Sequence, residues 1–254
     1  MMKSLFILTG ASRGMGLAMA IRLLAQQNTL LCISRHANPA LAENAQQRGA
    51  VLLQWTDDLA EGTTVAVKLS EWLSGQSSSE FAEASLINNA GAIPHIDGLG
   101  DMPVSSLGGL AQALRIGLEA PLQLTAAFLH ATQGWSAKRK VLNISSGLGR
   151  RAMASQAAYC AAKAGMDHFS RCVALEEALR PNGAKVCSLA PGVIDTDMQQ
   201  QLRSATSTSF PDQGSFARLK KTGALTSPVE AATRVLTFLA SPEFGSQPVA
   251  DVRG

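Results

Sequence analysis

The sequence predicts an α/β fold: a doubly wound parallel sheet of about seven strands with helices on both faces, in a single domain. Three observations carry this. Short, continuously apolar runs alternate with amphipathic helical stretches, and strands apolar on both sides belong to a parallel sheet covered on both faces. A glycine-rich loop follows the first apolar run at once, at Thr9-Gly10-Ala11-Ser12-Arg13-Gly14-Met15-Gly16. No linker divides the 254 residues, a length that one large α/β domain fills.

In order, residues 5–8 read as a buried strand and 14–27 as a helix. Strands at 30–33 and 51–55 flank a helix at 39–48. A helix over 60–73 runs into the polar stretch 74–79, and 85–89 is the fourth strand. A long helix is expected over 106–132, a fifth strand over 140–145, a second long helix over 154–179 and a sixth strand over 185–189. A loop, a helix at 228–240 and a short strand near Val249 close the chain. Right-handed crossovers between such units leave few topologies. The Ser- and Thr-rich segment 204–216 is expected to be a mobile loop over a site.

The glycine loop is the first feature with chemical meaning. Gly10, Gly14 and Gly16 permit a tight turn and close approach of backbone to a pyrophosphate, and the free N–H groups opening the helix bind the anion. Ser12, Arg13 and Met15 lie between these glycines. The second strand ends Ser34-Arg35, with no acid following. An acid there holds the ribose of NAD, whereas an arginine accommodates a 2′-phosphate. Arg35 with Arg13 therefore points to NADP(H). Asp58-Leu59, after the third strand, offers an adenine contact or an ordinary helix cap. Asn89-Ala90-Gly91 ends the fourth strand, and Pro191-Gly192-Val193-Ile194, with Thr196, leaves the sixth, where it walls a nicotinamide.

The one tyrosine, Tyr159, stands four residues before Lys163. On a helix the two share a face, and a nearby ammonium lowers the pKa of a phenol. The pair suits proton exchange with a carbonyl. Ser146, at the carboxyl end of the fifth strand, lies where ligands bind in such sheets and can polarise the carbonyl oxygen. His95, just beyond the cofactor loop, is a further candidate for the substrate side, though it reads more readily as a surface loop histidine.

Taken together, TGxxxGxG, NNAG, the serine, YxxxK and PG occur in an order and spacing that resembles the short-chain dehydrogenase/reductase family over the full length. The likeness is nearest to its sepiapterin reductase and bacterial benzil reductase branch, through Ala190-Pro191-Gly192-Val193-Ile194-Asp195-Thr196-Asp197-Met198-Gln199 and Leu219-Lys220-Lys221-Thr222-Gly223. The resemblance implies a Rossmann-type fold and NADPH-dependent reduction of a ketone, α-dicarbonyl or pterin side chain. It implies that Tyr159 is the general acid, that Lys163 lowers its pKa and holds the nicotinamide ribose, and that Ser146 orients the carbonyl. It places Asp251 where sepiapterin reductases anchor the pterin amine. It also implies a homodimer or homotetramer built on the two long helices. One position departs: where the family carries an asparagine that holds a relay water, this chain has Gly117. That leaves a rival reading, an NADP(H)-binding sensor or scaffold with little turnover. A nucleotide-sugar epimerase ranks below both, because its glycine loop is spaced differently.

Composition narrows the remaining classes. A net charge of +3 on scattered basic residues gives no nucleic-acid face. No apolar run is long enough for a bilayer. The four cysteines, Cys32, Cys160, Cys172 and Cys187, form no C-x-x-C pair and suit a reducing cytoplasm. No metal site is expected. The sequon Asn143-Ile144-Ser145 falls in a predicted buried strand and carries no glycan argument.

Overall fold

Seven strands are found among the described residues, 2–253 of a computed structural model: β1 (Lys3–Thr9), β2 (Asn28–Ser34), β3 (Val51–Thr56), β4 (Phe81–Asn88), β5 (Lys138–Ile144), β6 (Lys185–Ala190) and β7 (Val249–Asp251). They form one sheet in the order β3-β2-β1-β4-β5-β6-β7, every neighbouring pair parallel. The chain starts in the middle, winds outward to β3, then returns to wind outward through β4. The point of reversal, between β1 and β4, is where such sheets open a ligand crevice at their carboxyl ends.

Helices cover both faces. Helices α1 (Gly14–Leu23), α2 (Pro39–Arg48) and α9 (Pro228–Ala240) bury Met19, Leu41 and Val235 against one side. Helices α3 (Gly62–Ser74) and α5 (Ala120–Ala131) bury Leu69, Leu124 and Phe128 against the other, beside Val173 and Ala174 of α6 (Ala157–Ala178). The ends of these helices follow their capping chemistry. Asn38 accepts from the Leu41 backbone N–H at 3.1 Å with Pro39 at the first helical position, and Gly49 ends α2 at φ +61°. Ser227 and Pro228 open α9 in the same way.

Four departures from the expected elements have local causes. Helix α1 stops at Leu23 rather than 27, because Asn28 Nδ2 donates to the Leu23 carbonyl at 2.8 Å and β2 begins there. The long helix expected over 106–132 is broken into α4 (Leu107–Leu114), a π-helical turn over Arg115–Glu119, and α5. Pro121 explains the break: it has no N–H to donate, and its ring crowds the carbonyl of Gly117, four residues back. Helix α6 starts at Ala157 rather than 154, after Ser155 turns the chain at φ +60°, a left-handed conformation rarely taken outside glycine. Finally, the segment read as a loop between β6 and α9 contains helices α7 (Asp197–Ser204) and α8 (Gln213–Lys221), with Phe210 wholly buried between them. Its polar sequence hid a small core of Phe210 and Phe216, whose rings lie 5.3 Å apart.

Candidate active site

The carboxyl ends of the central strands open into one cleft of about 810 Å³. Its floor is the glycine loop, which β1 delivers and β4 braces. Thr9 Oγ1 accepts from the backbone N–H groups of Asn89 and Ala90 at 2.9 and 3.0 Å, and Asn89 Nδ2 donates to the Thr9 and Gly10 carbonyls at 3.0 and 3.2 Å. Asn89 is thus a strut under the loop, while the Asn88 side chain turns away to Asn143 at 2.8 Å. The loop itself demands glycine at two positions: Gly10 has φ +70°, and a Cβ on Gly16 would lie 2.0 Å from the Gly10 carbonyl oxygen.

Whether this cradle fits a dinucleotide can be tested on the molecule. Every cofactor residue expected from the sequence, from Gly10 and Arg13 through Ser34, Arg35, Asp58 and Leu59 to Ala90, Gly91, Pro191 and Thr196, lines this one cleft, as do Tyr159 and Lys163. Gly14, Met15 and Gly16, the opening turn of α1, line it, and Ser145 Oγ is a buried hydroxyl without a hydrogen-bond partner on its wall. The residues fit a dinucleotide. At one end, Ser34 Oγ accepts from Ala11 N–H at 2.9 Å and Arg35 is exposed beside it. Arg13 pairs with Asp197 at 2.8 Å, from the first residue of α7. Asp58 caps the following turn by accepting from Ala60 N–H at 2.9 Å, while still lining the cleft.

At the other end stand Ser146, Tyr159 and Lys163. Strand β5 places Ser146 one residue beyond Ser145, and its Oγ accepts from Leu148 N–H at 3.2 Å. Helix α6 presents Tyr159 and Lys163 one turn apart, with Nζ 5.7 Å from the centre of the phenol ring. Lys163 Nζ donates to the Ile144 carbonyl at 2.7 Å, tying the helix to the end of β5. Burial lowers the Lys163 pKa to about 8, against the pull of the Asp167 carboxylate one turn further on. Burial raises the Tyr159 pKa, and the hydrogen bond from Ser146 works in the opposite direction. The expected sign is therefore reversed: the phenol is held above its usual value, and its lowering partner here is Ser146 rather than the ammonium. A phenol that keeps its proton, beside a serine that can share a carbonyl oxygen, can deliver that proton to the oxygen.

His95 and Asp251 are not part of the cleft lining. His95 is exposed, 3.9 Å from Asp97. The Asp251 carboxylate is taken up by Arg253, which reaches it with Nε at 2.8 Å and Nη2 at 2.7 Å. Sequence reading missed Arg151, Gln156, Met198, Phe216 and Arg253, which do line the cleft. Arg253 had no signal; the others lie beside the sixth-strand loop, in the 204–216 segment, or, for Arg151 and Gln156, in the 147–158 segment between Ser146 and Tyr159.

Known proteins agree with this geometry. The family model described as short chain dehydrogenase matches residues 4–207. Benzil reductase ((S)-benzoin forming) of Bacillus cereus is 33% identical over 238 residues, covering 94% of each chain. Sepiapterin reductase of Xenopus tropicalis is 33% identical over 227 residues, covering 85% of this chain and 83% of its own. Among solved structures, a short-chain dehydrogenase/reductase of Burkholderia vietnamiensis is 32% identical with a TM-score of 0.62, covering 99% of this chain and 98% of its own. A putative 2-deoxy-d-gluconate 3-dehydrogenase of Agrobacterium tumefaciens with bound NADP shares the fold at a TM-score of 0.78 and 22% identity, covering 99% and 95%. This chain belongs to the short-chain dehydrogenase/reductase family of oxidoreductases.

Proposed function

We propose that the protein is an NADPH-dependent carbonyl reductase acting on an aromatic ketone or α-dicarbonyl. The observation that carries the reading is the continuity of one cleft, with Arg13 and Arg35 at one end and Ser146, Tyr159 and Lys163 at the other. Likeness to benzil and sepiapterin reductases over most of the chain supports the same chemistry.

The bound nicotinamide supplies the hydride. The chain does the rest. The glycine loop and the opening turn of α1 hold the pyrophosphate. Arg35, with Ser34 and Arg13, holds a 2′-phosphate; Arg13 exchanges Asp197 for it. Lys163, fixed to Ile144, holds the nicotinamide ribose and keeps a positive charge beneath Tyr159. Ser146 donates to the carbonyl oxygen and fixes the carbon facing Pro191 to Thr196. Tyr159 gives its proton to that oxygen as charge develops there. Phe216 closes the substrate side, and segment 204–216 opens and closes with it. The free cysteines suit a reducing cytoplasm. The exposed leucines Leu122 on α5, Leu175 on α6 and Leu179 just past its end suit a homodimer face.

Gly117 favours one rival, a nucleotide sensor with little turnover, since glycine offers no amide to hold a relay water. The intact serine, tyrosine and lysine favour the enzyme. The test is NADPH consumption by the purified protein with benzil, sepiapterin and simple aromatic ketones, with NADH in parallel. We expect turnover of at least one carbonyl, with NADPH preferred. Tight NADPH binding without turnover of any would favour the sensor.

A further inference from the structure

We infer that the physiological carbonyl substrate carries a carboxylate, held by Arg151 and Arg253 beside Ser146. This rests on the reductase reading and narrows it to a class of substrate.

The argument begins with where charge falls in the cleft. The acids that line it are Asp57, Asp58 and Asp197. Asp57 and Asp58 follow β3, at the far edge of the sheet, and Asp57 is paired with Lys68 at 2.7 Å. Asp197 is paired with Arg13. On the side formed by β5, β6 and β7 no free carboxylate faces the cleft. Besides Lys163, which is buried and tied to the Ile144 carbonyl, the charged groups lining it there are Arg151 and Arg253.

Arg151 carries the unpaired charge of the two, and Arg253, paired with Asp251, keeps free donors. Arg150 is already engaged, with Nε 3.5 Å from the buried Asp167 carboxylate and Nη2 3.3 Å from the Ala250 carbonyl. Arg151 has no side-chain partner among the described residues, although its backbone N–H donates to the Gly147 carbonyl at 3.1 Å and so fixes it to the serine turn. Arg253 lies against the same turn: a Cβ built on Gly147 would be 4.0 Å from its Nη2. Asp251 holds Arg253 through Nε and Nη2, which orients the guanidinium and leaves Nη1 and one Nη2 hydrogen free. Asp251 thereby acts on the substrate side only through Arg253. A guanidinium fork matches a carboxylate in shape as well as charge. Gly147 adjoins Ser146, and consecutive residues are about 3.8 Å apart, so the anion sits a few bonds from the reacting carbonyl. A 2-oxo acid with an aromatic or branched side chain has that shape.

A matched pair of compounds tests this: phenylglyoxylate and its neutral methyl ester, with NADPH, on the wild-type protein and on Arg151→Met, Arg253→Met and the double variant. The expected result is that wild type favours the carboxylate, and that the ratio of kcat/KM for carboxylate over ester falls roughly tenfold or more in each single variant, as loss of a charge-assisted pair predicts. The ester measured on the same variant corrects for any general damage. A ratio that stays within twofold of wild type in the double variant, with the ester still turned over, overturns the inference and leaves the reductase reading standing. No wild-type turnover of either compound or of benzil removes both.

Discussion

Lys163 is 4% exposed, and that burial is what makes it responsive near neutral pH. Its pKa of about 8 lies below the ordinary lysine value of 10.5. Below about pH 8 it is charged, and Tyr159, pushed upward by burial, holds its proton. Reduction therefore runs on the acid side of this pH. The rate constant for carbonyl reduction is expected to be level below about pH 8 and to fall above it; a profile flat to pH 10 would contradict this. The stability linkage has a definite sign. The fold disfavours the charged lysine, so the unfolded chain binds more protons between about pH 8 and 10.5. This residue costs stability below pH 8, and the cost is relieved as pH rises through that window.

Elements, rather than residues, set the geometry around this lysine. Helix α6 carries Asp167 one turn beyond Lys163, and Ser188 of β6 donates to its Oδ1 at 2.7 Å. Gly149 of the serine turn packs so closely that a Cβ there would lie 2.9 Å from Asp167 Oδ2. Asp167→Asn removes the charge that holds the Lys163 pKa up. The alkaline limb of the rate profile should then move down by roughly one pH unit or more, the usual effect of a close opposite charge, with a smaller change at low pH. An unmoved limb would leave Asp167 a structural residue only. The π-helical turn at Arg115–Glu119 is the second such device. A Cβ on Gly117 meets the Ala162 Cβ at 3.2 Å, so Gly117→Asn fits if α6 gives by a few tenths of an ångström. We expect it to fold and to change kcat less than tenfold; a larger rise would show that the native glycine throttles the proton relay.

The strands, the glycine loop and the Tyr159–Lys163 pair were legible in the sequence because each rests on local pattern: apolar runs, turn glycines, one-turn spacing. What stayed hidden depends on distant partners. Pro121 breaking the helix at Gly117, Phe210 organising α7 and α8, and Arg253 reaching the serine turn from beyond the last strand have no local signature. The reversed influence on Tyr159 was hidden for the same reason, since burial is a property of the packed chain.

At the scale of the molecule, the cleft spans the reversal point of the sheet, and its two ends make separable demands. Arg13→Ala with Arg35→Ala should weaken NADPH binding about tenfold or more, the loss expected for charge-assisted contacts to a phosphate, while NADH binding changes little. Equal losses for both cofactors would place these arginines elsewhere. On the outside, Leu175 and Leu179 are 71% and 87% exposed on the end of α6. Replacing both by aspartate should shift the protein to monomer in sedimentation if α6 forms the homodimer face, and no shift would place the interface elsewhere. The central claim is that Tyr159 protonates a carbonyl in a cleft that binds NADPH independently of it. The most direct measurement compares wild type and Tyr159→Phe in two assays, NADPH consumption with a reducible diketone and NADPH binding by fluorescence. Turnover lost with binding nearly intact is the expected result, and residual turnover above a tenth of wild type would contradict it.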